Sequence, residues 1–156
     1  MAVKPEEKLQ AMGLTLPPVA RPVAAYVPVV QSGSHLYVSG QLPIRDGQLT
    51  DRGRVGSDLS VEQAYQAART CALNALAAIK AHVGDLSRVV RVVKVTGFVA
   101  GAPGFVEQPK VVNGASELLV ELFGERGRHA RSSVGVAELP LGAPVEIELL
   151  VEVAGG

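Results

Sequence analysis

The spacing of apolar residues changes period several times along the chain, and each change marks an element. Near the end, Val145, Ile147, Leu149 and Val151 alternate with Glu146, Glu148, Leu150 and Glu152. A period of two means a strand with one buried face. Just before it, a shorter strand begins at Arg131, beside the small hydroxyl residues Ser132 and Ser133. The link Leu139-Pro140-Leu141-Gly142-Ala143-Pro144 has turn chemistry, because proline cannot extend a ladder and glycine relaxes the backbone. The two strands are therefore expected to pair as a hairpin, bringing Arg131 close to Glu146.

Earlier segments follow the same logic. Pro5 to Gly13 is a short helix, with proline and acids in its first turn and glycine at its end. Val23 to Gln31 and His35 to Gly40 are two strands joined by the turn Ser32-Gly33-Ser34, with Pro28 marking an edge or a bulge. Arg45 to Asp58 is polar and turn-rich, an exposed loop. From Val61 to Val83 the period lengthens: Ala64, Ala67, Ala68, Cys71, Ala72, Ala75, Leu76 and Ile79 recur at three and four. That is one face of a long helix, and its alanines imply close approach to a sheet. Ser60 and Gln63 supply a capping box at its start. Ser87 to Val99 is dense in valine and is expected to be a central strand buried on both faces. Phe105 to Phe123 is a second helix, with Pro109 as its candidate start. The order β-β-α-β-α-β-β predicts an α+β fold, a mixed sheet with two helices on one face. The other face is left bare, which predicts an oligomer. Residues 1–20 are expected to be an N-terminal extension with a short helix, and 21–156 a single domain.

Composition narrows this picture. A chain of 156 residues with 47% hydrophobic and 19% charged residues can bury a sizeable core. The formal net charge is zero, which argues against a nucleic-acid-binding surface. Aromatic residues make up 4% with no tryptophan, so there is no stacking platform for bases. One cysteine, Cys71, forms no internal disulfide and is expected to be a small buried hydrophobe. No run reaches the ~20 apolar residues of a membrane span and no leader pattern opens the chain, so a cytoplasmic protein is expected. The histidines His35, His82 and His129 are scattered without acids or cysteine at metal spacing, so no metal is expected.

Two side chains carry most of the chemistry. Arg131 has a planar fork that matches the two oxygens of a carboxylate, and Glu146 can move a proton. On spacing alone they support a small-carboxylate site, and each also has a plain reading as a solvated strand residue.

Two sequence blocks sharpen the reading. Ala130-Arg131-Ser132-Ser133-Val134, then Leu139-Pro140, then Val145-Glu146-Ile147-Glu148 resembles the signature of the YjgF/RidA family of imine and enamine deaminases. Tyr26, followed thirteen residues later by Ser39-Gly40-Gln41-Leu42-Pro43, matches a second block of that family. The resemblance spans roughly Val23 to Val153. It implies a chorismate-mutase-like fold, a homotrimer and ligand sites between adjacent subunits. It implies that Arg131 grips the substrate carboxylate and that Glu146 orients or activates water. Tyr26, Ser39 and Gly40 would shape the pocket, and Asn113 and Ser133 would line it. Ser133 stands where many members have cysteine, and His129 where many have proline. One extra residue separates Asn113 from the arginine, and the loop before the long helix is longer than in shorter members. The implied reaction is hydrolysis of a reactive 2-imino or 2-enamino acid, such as 2-aminoacrylate, to the 2-oxo acid and ammonia, without a cofactor. The alternatives are a non-catalytic trimer that binds a small carboxylic acid, and an endoribonuclease or translation inhibitor, which the neutral charge argues against.

Overall fold

A computed structural model describes residues 3–19 and 24–155. The start of the first expected strand, at Val23, lies outside the described residues. In chain order the elements are α1 (Pro5–Ala11), β1 (Val29–Ser32), β2 (His35–Gln41), β3 (Ile44–Arg45), β4 (Gln48–Leu49), α2 (Val61–Val83), β5 (Val89–Ala100), α3 (Gln108–Phe123), β6 (Ala130–Val136) and β7 (Val145–Val153). Five strands form one sheet in the order β1-β2-β7-β5-β6. Only β5 and β6 run parallel. The fold is the expected α+β arrangement, with α2 and α3 on one face of a mixed sheet. The expected exposed loop before α2 contains a small hairpin, β3–β4, turned by Asp46 and Gly47, both at positive φ.

Local signals account for α2. The Ser60 side chain accepts from the Gln63 backbone N–H, and the Gln63 side chain accepts from the Ser60 N–H. Such a cap contributes about 1 kcal/mol. Every member of the predicted alanine-rich stripe is buried, and Cys71 lies among them. Its thiol points at the Val145 carbonyl oxygen, 3.8 Å away, and burial pushes its pKa well up. Pro109 does stand in the first turn of α3. Two glycines set the close contacts. A methyl at Gly114 of α3 would collide with the Tyr65 carbonyl of α2, and one at Gly97 of β5 would collide with Val112 of α3. The first helix joins the same body: Leu9 is 3% exposed, and Glu6 Oε1 accepts from the Leu86 N–H at 2.6 Å.

The expected hairpin of the last two strands does not form. β6 lies beside β5, and β5 separates it from β7. The link between β6 and β7 passes over the end of β5, where the Ala100 N–H donates to Pro144 O at 2.9 Å. Eight residues suffice to step across two strand spacings, about 10 Å. The turn residues end both strands but do not choose their partner. β5 is correspondingly next to the edge strand, and β7 occupies the middle of the sheet. One face of β5 packs under the helices while the other alternates with half-buried and exposed positions, so it is not buried on both faces within one chain. That second sheet face bears Val30, Tyr37 and Val134, all more than a third exposed.

Candidate functional site

The sequence-predicted residues gather into two clusters. The first forms where β6 meets α3. Asn113 and Ser116 stand three apart on α3 and therefore on one face. Arg131, the second residue of β6, turns toward them: its Nη1 donates to Asn113 Oδ1 at 2.8 Å and to Ser116 Oγ at 3.1 Å. Those bonds use both hydrogens of Nη1. The edge formed by Nε–H and Nη2–H is left for a ligand, and it has the two parallel donors that a carboxylate takes. Ser133 lies two residues along the same face of β6, opposite Gly97. Its Oγ is buried with no partner among the described residues. Leaving that buried hydroxyl unpaired costs free energy.

His129 extends this cluster. Its Nδ1 is 2.6 Å from Gly127 O and its Nε2 is 2.9 Å from Ser116 Oγ. Burial lowers its pKa, and the Arg131 charge adds to that, against the Gly127 carbonyl bond, which raises it.

The second cluster surrounds Glu146 near the start of β7. Gly40 lies against it on β2, within the irregular stretch between Val38 and Gln41 where the β2–β7 register shifts. A methyl at Gly40 would collide with the Glu146 carboxylate, so this strand-interior glycine is what lets the acid lie across the backbone. Among the described residues no hydrogen-bond donor reaches that carboxylate. Burial raises the Glu146 pKa, with a smaller contribution from the Glu148 charge. Ser39 ties the preceding segment to β2: its Oγ donates to Val27 O at 2.6 Å and its N–H to Pro28 O at 2.8 Å. This anchors the stretch that holds Tyr26, whose side chain is 57% exposed. The Ser39 hydroxyl hydrogen is thus engaged within the chain.

Arg131 and Glu146 do not meet in one chain. Arg131 is in register with Val95 and, through it, with Leu149, on the face packed by the helices. Glu146 is three residues from Leu149 and points to the opposite face. Two strand spacings across and three residues along put their backbones roughly 14 Å apart. Two surface concavities lie elsewhere. One is lined by Val61, Glu62, Tyr65, Gln66 and Lys110, the other by residues including Tyr37, Thr96 and Glu148. Ser116 was not among the predicted residues. Its spacing from Asn113 on a helical face is the signal that could have found it.

Sheet, helices and paired clusters define a chorismate-mutase-like α+β fold. The model of the family described as "YjgF/chorismate_mutase-like, putative endoribonuclease" matches residues 6–153, and the chain belongs to this YjgF/RidA family. Protein TCP17 of Trypanosoma cruzi is 50% identical over 145 residues, 92% of this chain and 91% of that protein. The crystal structure of Atu1372 from Agrobacterium tumefaciens, a protein of unknown function, superposes with a TM-score of 0.90 at 51% identity, covering 96% of this chain and 92% of the other. RidA from the Antarctic bacterium Psychrobacter sp. PAMC 21119 is more distant. Its TM-score is 0.60 at 28% identity, over 88% of this chain and 94% of that one. Among the described residues no helix is long and apolar enough to cross a membrane.

Proposed function

We propose that the protein hydrolyses reactive 2-imino and 2-enamino acids to 2-oxo acids and ammonia, in a homotrimer whose sites join the Arg131 cluster of one subunit to the Glu146 cluster of the next. The observation that carries this reading is the division of complementary chemistry. One cluster offers a carboxylate clamp without a base, and the other a base without a clamp. They point to opposite faces of the sheet, so a second copy is the economical way to unite them. The family resemblance supplies the reaction class.

The chemistry asks little of the protein. Arg131 holds the substrate carboxylate through its Nε and Nη2 edge, and Asn113 fixes the guanidinium from behind. The imine carbon is already electrophilic. Glu146 takes a proton from water as the oxygen bonds to that carbon, and passes a proton to the nitrogen. The carbinolamine then collapses: its hydroxyl proton passes through Glu146 to the nitrogen, the C–N bond breaks, ammonia leaves and the carbonyl forms. A raised Glu146 pKa suits both transfers, because acid and base forms are then closer to balance. Tyr26, Gly40 and Ser39 shape the mouth, and Ser133 offers its unpaired hydroxyl to the ligand. No cofactor is needed, and a cytoplasmic setting beside enzymes that shed such acids fits the reaction.

The test is release of 2-oxo acid from freshly generated 2-aminoacrylate. Wild type should accelerate it, and Arg131→Ala and Glu146→Gln alone should not. An equal mixture of the two variants, unfolded and refolded together, should recover roughly a quarter of the wild-type rate, because each site draws one half from each of two chains. Active wild type without recovery would place the site within one chain. A folded wild type that gives no acceleration would leave a small-carboxylate-binding protein.

A further inference from the structure

His129 and Ser116 are joined to Arg131 in a chain of hydrogen bonds whose directions are fixed at one end. Gly127 O can only accept, so the Nδ1 atom of His129, 2.6 Å away, carries the hydrogen. In the neutral ring Nε2 then has only a lone pair, and the Ser116 hydroxyl donates to it across 2.9 Å. With its hydrogen committed there, Ser116 Oγ presents its lone pairs to the remaining neighbour, the Nη1–H of Arg131 at 3.1 Å. A helical serine otherwise tends to turn its hydroxyl back to the carbonyl four residues earlier. The histidine acceptor counters that preference. Asn113 Oδ1 takes the second Nη1 hydrogen at 2.8 Å. Burial and the Arg131 charge both favour the neutral ring that this pattern needs.

We infer that His129 and Ser116 are positioning residues for the carboxylate clamp: the Gly127–His129–Ser116 relay orients the Arg131 guanidinium so that its Nε and Nη2 edge faces the ligand. This rests on the proposed carboxylate-binding role of Arg131 and adds to it. Asn113 alone leaves the guanidinium free to swing about one bond; the serine gives a second point and the histidine fixes the serine. The relay needs the histidine at position 129: the ring nitrogen of a proline there would be a backbone amide, with no lone pair to accept from Ser116.

The experiment measures pyruvate, the product expected from 2-aminoacrylate, by titration against wild type, Ser116→Ala, His129→Ala, His129→Gln and Arg131→Ala. Nitrogen-15 spectra of the histidine ring are recorded on the ligand-free protein. The ring should be the Nδ1–H tautomer. Ser116→Ala and His129→Ala should each weaken pyruvate about three- to tenfold, the size of one net hydrogen bond. Glutamine places an amide oxygen near the Nε2 position and can accept from Ser116, so His129→Gln should stay within about twofold of wild type. A plain packing role for His129 would not show that rescue. An Nε2–H tautomer, wild-type affinity in His129→Ala, or a glutamine variant as weak as the alanine one would each overturn the relay. A wild type that binds pyruvate no better than Arg131→Ala would instead overturn the clamp on which the relay depends.

Discussion

The two clusters are built by opposite means. Around Arg131, side chains hold side chains: asparagine and serine bond one end of the guanidinium, and histidine bonds the serine. Around Glu146 the backbone does the work. A glycine makes room for the acid, the β2–β7 register shifts beside it, and among the described residues no side chain holds the carboxylate. The first arrangement gives direction, which a planar, two-point recognition element requires. The second gives reach and a perturbed proton affinity, which a group that accepts and returns a proton requires. A substitution should therefore affect the first by degrees and the second all at once.

The sharpest challenge to that contrast is Glu146→Gln. It keeps the shape of the side chain and removes the base, and turnover of 2-aminoacrylate should fall roughly 10²–10⁴-fold with pyruvate binding largely kept. Equal losses in both measurements would assign Glu146 to binding and erase the distinction. Next in size is Gly40→Ala. The added methyl displaces the Glu146 carboxylate, so activity should fall about tenfold or more while pyruvate affinity follows the untouched Arg131 cluster. Comparable turnover in that variant would show that the acid does not need its place over β2. The smallest effect is on stability. Burial raises the folded-state pKa of Glu146, so the folded chain binds this proton more readily than the unfolded chain does. The stability that follows is present below the ordinary carboxylate range and is lost as pH rises through the raised folded value. Glu146→Gln should accordingly melt slightly higher than wild type at neutral pH, with the gap closing as the pH falls into the acid range. A gap that widens toward acid would mean that the carboxylate is stabilised by a partner.

What was legible in the sequence tracks how local each signal is. α2 could be read to both ends because its cap, its alanine stripe and Gly84, which caps its C-terminal end, all act within a few residues. Glu146 and Arg131 could be named because their blocks resemble a family's. Their separation could not be read, because alternation and turn residues say where strands lie and end, not which strand lies beside which. Sequence neighbours are also spatial neighbours only about two-thirds of the time. Inserting β5 between β6 and β7 turned an expected single site into two halves. Ser116 escaped for a related reason: its three-residue spacing from Asn113 marks a shared helix face, but only the packing of β6 against α3 shows that Arg131 reaches that face.

The contact at Gly114 reaches beyond packing. α2 touches the strand of Glu146 through Cys71 and Val145, and α3 carries Asn113 and Ser116, so the glycine that lets these helices approach sets the angle between the two halves. In a head-to-tail ring that angle is the turn each member contributes, and the ring closes only when the turns sum to a full circle. In the proposed ring, a single methyl at Gly114 would push the helices apart at the Tyr65 carbonyl and so alter that turn.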